Sequence, residues 1–224
     1  MTLPTPKAIL FDWDNTLVDS WAVIHHAMTA VFEAMGQRPW TLEETRQKVR
    51  KSARDSFPEM FGPRAEEATA VFYRTYEADH LEQLHPLPGA EAMLRDLAAS
   101  GGPLLGVVSN KRGELLRKEA AALGWERYFG PVVGATDAVK DKPAPEVIDF
   151  ALAGSGIAAG PAVWFVGDTD IDLHCARNSG CTGFLSREAA PAEGEFDGLP
   201  LASHLPDCAA FARLARAALE NRPA

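Results

Sequence analysis

Short apolar runs at residues 8–11, 104–108, 132–133, 162–166 and 182–185 alternate, from residue 87 onward, with stretches of helical period, and this alternation restricts the fold most. Strands that alternate with helices are joined by crossovers, so the chain is expected to build a mostly parallel sheet with helices on both faces. Helices are expected over 90–99, 113–123, 143–153 and 171–179, and a closing amphipathic helix carries Cys208, Phe211, Leu214 and Ala218. Residues 20–84 break the pattern. Trp21, Ile24, Met28, Val31 and Met35 recur at three- and four-residue steps up to Gly36, and 41–51 and 65–84 read as further helices around turn signals at Pro58 and Gly62-Pro63. That run offers the sheet no strand, so it reads as an all-helical domain inserted after the first strand. The expected organisation is a Rossmann-like, doubly wound α/β core of residues 1–19 and 87–224 with a helical cap of residues 20–86.

A chain of 224 residues is long enough to bury a large core. Its formal net charge of -9 disfavours a nucleic-acid or anionic-membrane partner, either of which needs a basic surface, and suits cation binding. No 18 apolar residues run together, and no basic stretch leads into an apolar one near the N-terminus, so neither a membrane span nor a signal peptide is expected. Cys175, Cys181 and Cys208 match no zinc or disulfide spacing and read as packing residues in a reducing compartment. The expected location is the cytoplasm.

In parallel sheets of this kind ligands bind beyond the carboxyl ends of the strands. The first strand ends in Asp12-Trp13-Asp14-Asn15-Thr16. Residues i and i+2 of an extended chain project to the same side, so Asp12 and Asp14 would share a site and repel unless a cation or a shared proton compensates. The same letters also suit a turn, since Asp, Asn and Thr all bond readily to nearby backbone.

Three further strand ends carry polar residues. Ser109-Asn110-Lys111 precedes a helix, where a hydroxyl and backbone N–H groups can face an anion; helix capping by Ser109 or Asn110 is the simpler alternative. Lys142 stands before Pro143 at an expected helix start, where the dipole disfavours a cation, so it is either compensated by an anion or a solvated surface lysine. Gly167-Asp168-Thr169-Asp170-Ile171-Asp172 places three acids at a strand-to-helix turn. A helix start explains Asp170 and Asp172, whereas Asp168 falls at the sheet edge near Asp12 and would complete an oxygen-ligand set for Mg²⁺.

In this order, and with a helical insert, the four motifs resemble the haloacid dehalogenase superfamily, and within it the phosphoglycolate phosphatase group. Leu87-Pro88-Gly89 and Lys142-Pro143-Ala144-Pro145 fit the same group, while Asn15 stands where the family usually has glycine. The resemblance implies a phosphatase for a small phosphate ester, with 2-phosphoglycolate the first guess. It implies that Asp12 is the nucleophile, that Asp14 is general acid and base, and that Ser109, Lys142 and the Asn110 backbone hold the phosphoryl oxygens. Mg²⁺ would be held by the Asp12 carboxylate, the Asp14 backbone carbonyl and Asp168. Thr16 and Asp172 would act behind these residues, Asp172 by orienting Lys142 or a metal-bound water. Arg54-Asp55-Ser56 is similar to an arginine motif of related sugar-phosphate mutases, which makes Arg54 the cap residue expected to meet the far end of the substrate. A phosphomutase, or a catalytically silent metal-binding regulator of the same fold, are the alternatives.

Overall fold

The computed structural model describes residues 3–220. Asp19–His85 forms one compact unit and the residues flanking it form the other. Strands β1 (Ala8–Phe11) and β2 (Val18–Asp19) come first, followed by helices α1 (Trp21–Ala34), α2 (Leu42–Lys48), α3 (Ala53–Phe61) and α4 (Ala65–Asp79). The chain then runs through β3 (His85–Pro86), α5 (Ala90–Ala99), β4 (Leu104–Arg112), α6 (Gly113–Ala122) and β5 (Val132–Ala135). It ends with α7 (Glu146–Leu152), β6 (Val163–Gly167), α8 (Asp170–Asn178), β7 (Thr182–Ser186), β8 (Ser203–Leu205) and α9 (Cys208–Glu220).

Six strands form one sheet in the order β5-β4-β1-β6-β7-β8, every pairing parallel. The expected parallel α/β sheet is present. After β1 the chain moves to β4 and β5, whereas after β6 it moves the other way to β7 and β8, so the direction reverses between the adjacent strands β1 and β6. A crevice opens at such a reversal. Ala8, Ile9, Leu10 and Phe11 are fully buried, because a strand with neighbours on both edges and helices on both faces offers no polar side. One side of this core is aromatic: Phe211 of α9 meets Phe11 edge-on at 5.6 Å and Trp164 at 6.2 Å.

The helical unit has its own core, with Phe32, Phe57 and Phe61 packed edge to face. Arg64 closes α1 by donating to the Ala34 and Met35 carbonyls.

Several sequence expectations need correction. The helix expected over 41–51 stops at Lys48, and a new one, α3, starts at Ala53, with Pro58 inside it rather than in a turn. An internal proline costs about 3 kcal/mol, but burying Phe57 and Phe61 returns about 1.5–3 kcal/mol each, so packing wins. The strand expected to end near Val108 continues to Arg112 through a register irregularity against β5. The helix expected from residue 143 begins only at Glu146, so Lys142 is not at a helix N-terminus. Short strand β8 was not anticipated.

Candidate active site

Backbone register alone gathers the polar strand ends. Phe11 is level with Val107 of β4 and Val166 of β6, and the Asp12 N–H donates to the Val166 carbonyl at 2.8 Å. Asp12 therefore sits one residue past that level, and Ser109 and Asp168 two residues past it. All three are buried, with Asp12 and Asp168 each 8% exposed and Ser109 3%.

Lys142 is buried too, against the solvated alternative, and is only 2% exposed. Its Nζ lies 2.8 Å from Asp12 Oδ1 and 2.8 Å from Asp172 Oδ1. A buried ammonium is tolerated only when paired, and here it has two carboxylates. The anion that compensates Lys142 is thus protein, and a helix start has no part in it. The Asn110 side chain holds the same residue by its backbone, with Oδ1 accepting from the Lys142 N–H at 3.0 Å and Nδ2 donating to the Lys142 carbonyl at 3.2 Å.

Asp172 serves two elements. Its Oδ2 accepts from the Thr169 N–H at 3.1 Å and from the Thr169 hydroxyl at 3.0 Å, closing the first turn of α8, while its Oδ1 meets Lys142. Gly167 makes room for this: a Cβ at 167 would overlap the Asp172 carboxylate. Asp12, Asp168 and Asp172 offer carboxylate oxygens that all lie within 4.8 Å of one another, in a group in which every member is buried. Two of those three share one lysine, so the negative charge exceeds the positive, and an all-oxygen donor set of this kind fits a hard divalent cation.

These charges act on one another. Burial is the main force pushing the Asp12 carboxyl up to about 6, with Asp172 and Asp14 adding to the shift and Lys142 opposing it. Burial also works against the Lys142 ammonium, but Asp12 and Asp172 outweigh it and raise its pKa above the ordinary lysine range. Lys142 is therefore a fixed cation.

Asp14 pairs with a different lysine. Its Oδ1 lies 2.7 Å from Lys111 Nζ, and Lys111 also donates to Glu119 Oε2. Trp13 Nε1 donates to that same Glu119 oxygen at 2.6 Å. Glu119 was not anticipated, although it left a trace: it occupies the buried face of α6 with Leu115, Leu116 and Ala120, where a carboxylate is out of place. Asn15 adopts a left-handed backbone with φ 61°, which asparagine tolerates. Thr16 is 2% exposed, and its hydroxyl has no hydrogen-bond partner among the described residues. Arg54 lies in the first turn of α3 within the helical unit, 3.9 Å from Asp55. The three cysteines are free and buried, and burial raises all three thiols, Cys208 to about 11, so none is a ready nucleophile.

The model of the haloacid dehalogenase-like hydrolase family matches residues 9–185, and the chain belongs to that family. It is a phosphatase of the phosphoglycolate phosphatase-like group. The phosphoglycolate phosphatase of Xanthomonas campestris pv. campestris (strain 8004) is 31% identical over 179 residues, which cover 78% of this chain and 80% of that one. The phosphoglycolate phosphatase of Xylella fastidiosa (strain Temecula1) is 29% identical over 210 residues, covering 89% and 91%. Among solved structures, a haloacid dehalogenase-like family hydrolase of Streptococcus pneumoniae superimposes with a TM-score of 0.80 at 22% identity, covering 94% of this chain and 98% of its own. A haloacid dehalogenase-like hydrolase of Bacteroides fragilis gives 0.83 at 20% identity, covering 93% and 99%. These two likenesses show the fold. Among the described residues no helix is long and apolar enough to cross a membrane.

Proposed function

We propose that the protein is a Mg²⁺-dependent phosphatase that hydrolyses a small phosphorylated metabolite, 2-phosphoglycolate first among candidates, through a phosphorylated Asp12. The observation that carries this reading is the placement of Lys142 Nζ 2.8 Å from Asp12 Oδ1, inside a buried cluster that also holds Asp168 and Asp172. A nucleophilic carboxylate must approach an anionic phosphoryl group, and the site supplies fixed positive charge where that approach occurs. Asp12 and Asp168, with the Asp14 backbone carbonyl, would hold Mg²⁺. Bound there, the cation would neutralise phosphoryl charge.

The chain's own residues do the rest. An Asp12 oxygen bonds to phosphorus as the ester P–O bond breaks, and the departing oxygen keeps the electron pair and takes a proton from Asp14. The Asp14 carboxylate then takes a proton from a water molecule whose oxygen attacks the phosphorus, releasing inorganic phosphate and restoring Asp12. Ser109, the Asn110 backbone and Lys142 bind the phosphoryl oxygens throughout, and Asp172 and Asn110 fix Lys142 in place. Thr16 supports the Asp12 to Asp14 turn from behind.

Arg54 of the helical unit is the candidate for recognising a distal carboxylate or phosphate of the ester. Relatives named phosphoglycolate phosphatase support a carboxylate. A cytoplasmic setting is part of this reading. Phosphate release from a panel of metabolite phosphates tests it: turnover should require Mg²⁺, cease with EDTA and vanish in Asp12→Asn. Arg54→Ala should raise KM for 2-phosphoglycolate more than it lowers kcat. Transfer of phosphoryl groups between sugar hydroxyls without phosphate release would identify a mutase instead.

A further inference from the structure

We infer that Lys111 is a positioning residue for Asp14, and that Glu119 and Trp13 hold Lys111 in that role. The inference rests on the reading of Asp14 as the proton donor to the leaving oxygen. Lys111 and Glu119 have side chains only 5% and 1% exposed, whereas the Asp14 side chain is 18% exposed and so borders open space. The ammonium thus reaches Asp14 from the buried side, at 2.7 Å, and leaves the carboxylate's outer side for a substrate.

The connections close on themselves. Glu119 Oε2 accepts from both Trp13 Nε1 and Lys111 Nζ, and Trp13 is the chain neighbour of Asp14. The Trp13 ring is itself fixed edge-on against Trp125 at 5.7 Å. A single carboxylate oxygen on α6 therefore tethers the Asp12 to Asp14 turn twice, once through the Trp13 ring and once through Lys111 to the Asp14 side chain. A buried Lys–Glu pair is a poor device for stability alone, since well-packed apolar residues commonly do as well. Its geometry here is that of a brace, with Glu119 setting where the ammonium sits and the ammonium setting the Asp14 side chain. Sub-ångström placement of a proton donor is worth large rate factors.

Leaving-group dependence distinguishes this brace from a merely structural pair. kcat/KM covers steps only as far as departure of the alcohol. An alkyl ester such as 2-phosphoglycolate needs its leaving oxygen protonated, whereas p-nitrophenyl phosphate, with a stable phenolate, needs little help. In Lys111→Met, kcat/KM for 2-phosphoglycolate should fall about 100-fold and that for p-nitrophenyl phosphate by less than about 5-fold. Glu119→Gln keeps an acceptor for Trp13 and should show the same asymmetry at smaller size, and Lys111→Arg should recover part of the alkyl rate. The retained aryl rate reports that each variant is folded. Asp14→Asn run beside them separates the two levels of the inference. If it shows the asymmetry while Lys111→Met and Glu119→Gln lose both substrates equally or lose neither, the brace is overturned and the role of Asp14 stands. If Asp14→Asn itself shows no asymmetry, the proton-donor reading falls and the brace falls with it.

Discussion

Asn110 grips the Lys142 backbone through both polar groups of its side chain, accepting from the N–H at 3.0 Å and donating to the carbonyl at 3.2 Å. The two residues are 32 positions apart, and the clamp fixes the loop that carries the buried ammonium to the end of β4. The Lys142–Pro143 bond in that loop is cis.

Asn110→Ala should therefore act on Lys142 without touching its charge. Two part-buried backbone groups lose their partner, which costs about 1–3 kcal/mol each at most. We expect unfolding to occur at lower denaturant and phosphatase kcat/KM to fall at least 10-fold, both measurable on one preparation by urea titration and phosphate release. Unchanged activity with lowered stability would mean that Lys142 holds its place without the clamp.

Asp12→Asn separates catalysis from stability. Burial raises the Asp12 carboxyl to about 6, so at neutral pH the folded protein carries an ion it disfavours. Removing that charge should leave the metal-free protein at least as stable, by up to about 3 kcal/mol at pH 7.5, although Lys142 keeps only one carboxylate. Phosphatase activity should disappear, and Mg²⁺ should stabilise the wild type far more than the variant. Differential scanning fluorimetry with and without Mg²⁺ reads both effects, and a large loss of metal-free stability would contradict the expectation.

The sign of the pH dependence follows from the same group. A carboxyl whose folded pKa, about 6, exceeds its unfolded value of 3.8 contributes stability that is fully present below 3.8 and lost as pH rises through 6. A cation competes with that proton. The thermal shift produced by Mg²⁺ should thus be small at pH 5 and grow through pH 6 to a plateau near pH 7.5. A shift that is independent of pH would place the cation away from Asp12.

Gly167→Ala tests how closely the site is packed. The new Cβ would overlap the Asp172 carboxylate, which must then leave Lys142, Thr169 or both. We expect a stability loss of about 1–3 kcal/mol and a fall in kcat/KM of at least 10-fold, seen by thermal unfolding and steady-state kinetics. Wild-type activity in this variant would show that catalysis does not depend on the Asp172 carboxylate keeping this position.

The chain's letters settled more than its fold class. Alternating apolar and helical periods dictate crossovers, and crossovers dictate a parallel sheet, so β1, β4, β6 and β7 are legible in the sequence itself. Asp12, Ser109 and Asp168 were legible as polar residues following apolar runs, because a strand that stops on an acid has a local signature. Pro58 in α3 was misread, since its local preference is a turn and only the burial of Phe57 and Phe61 overrides it. What tertiary structure alone decided were the long-range pairings. Register put Phe11 level with Val107 and Val166, and this brings Asp12 beside Asp168, 156 positions away by their numbers. Lys142 reads as a surface lysine until Asp12 and Asp172 close on it, and Glu119 reads as a stray acid on an apolar helix face until Trp13 and Lys111 meet it. Local periodicity is written along the chain, but the compensation of a buried charge depends on which distant group the fold carries to within 3 Å, and no local pattern encodes that distance.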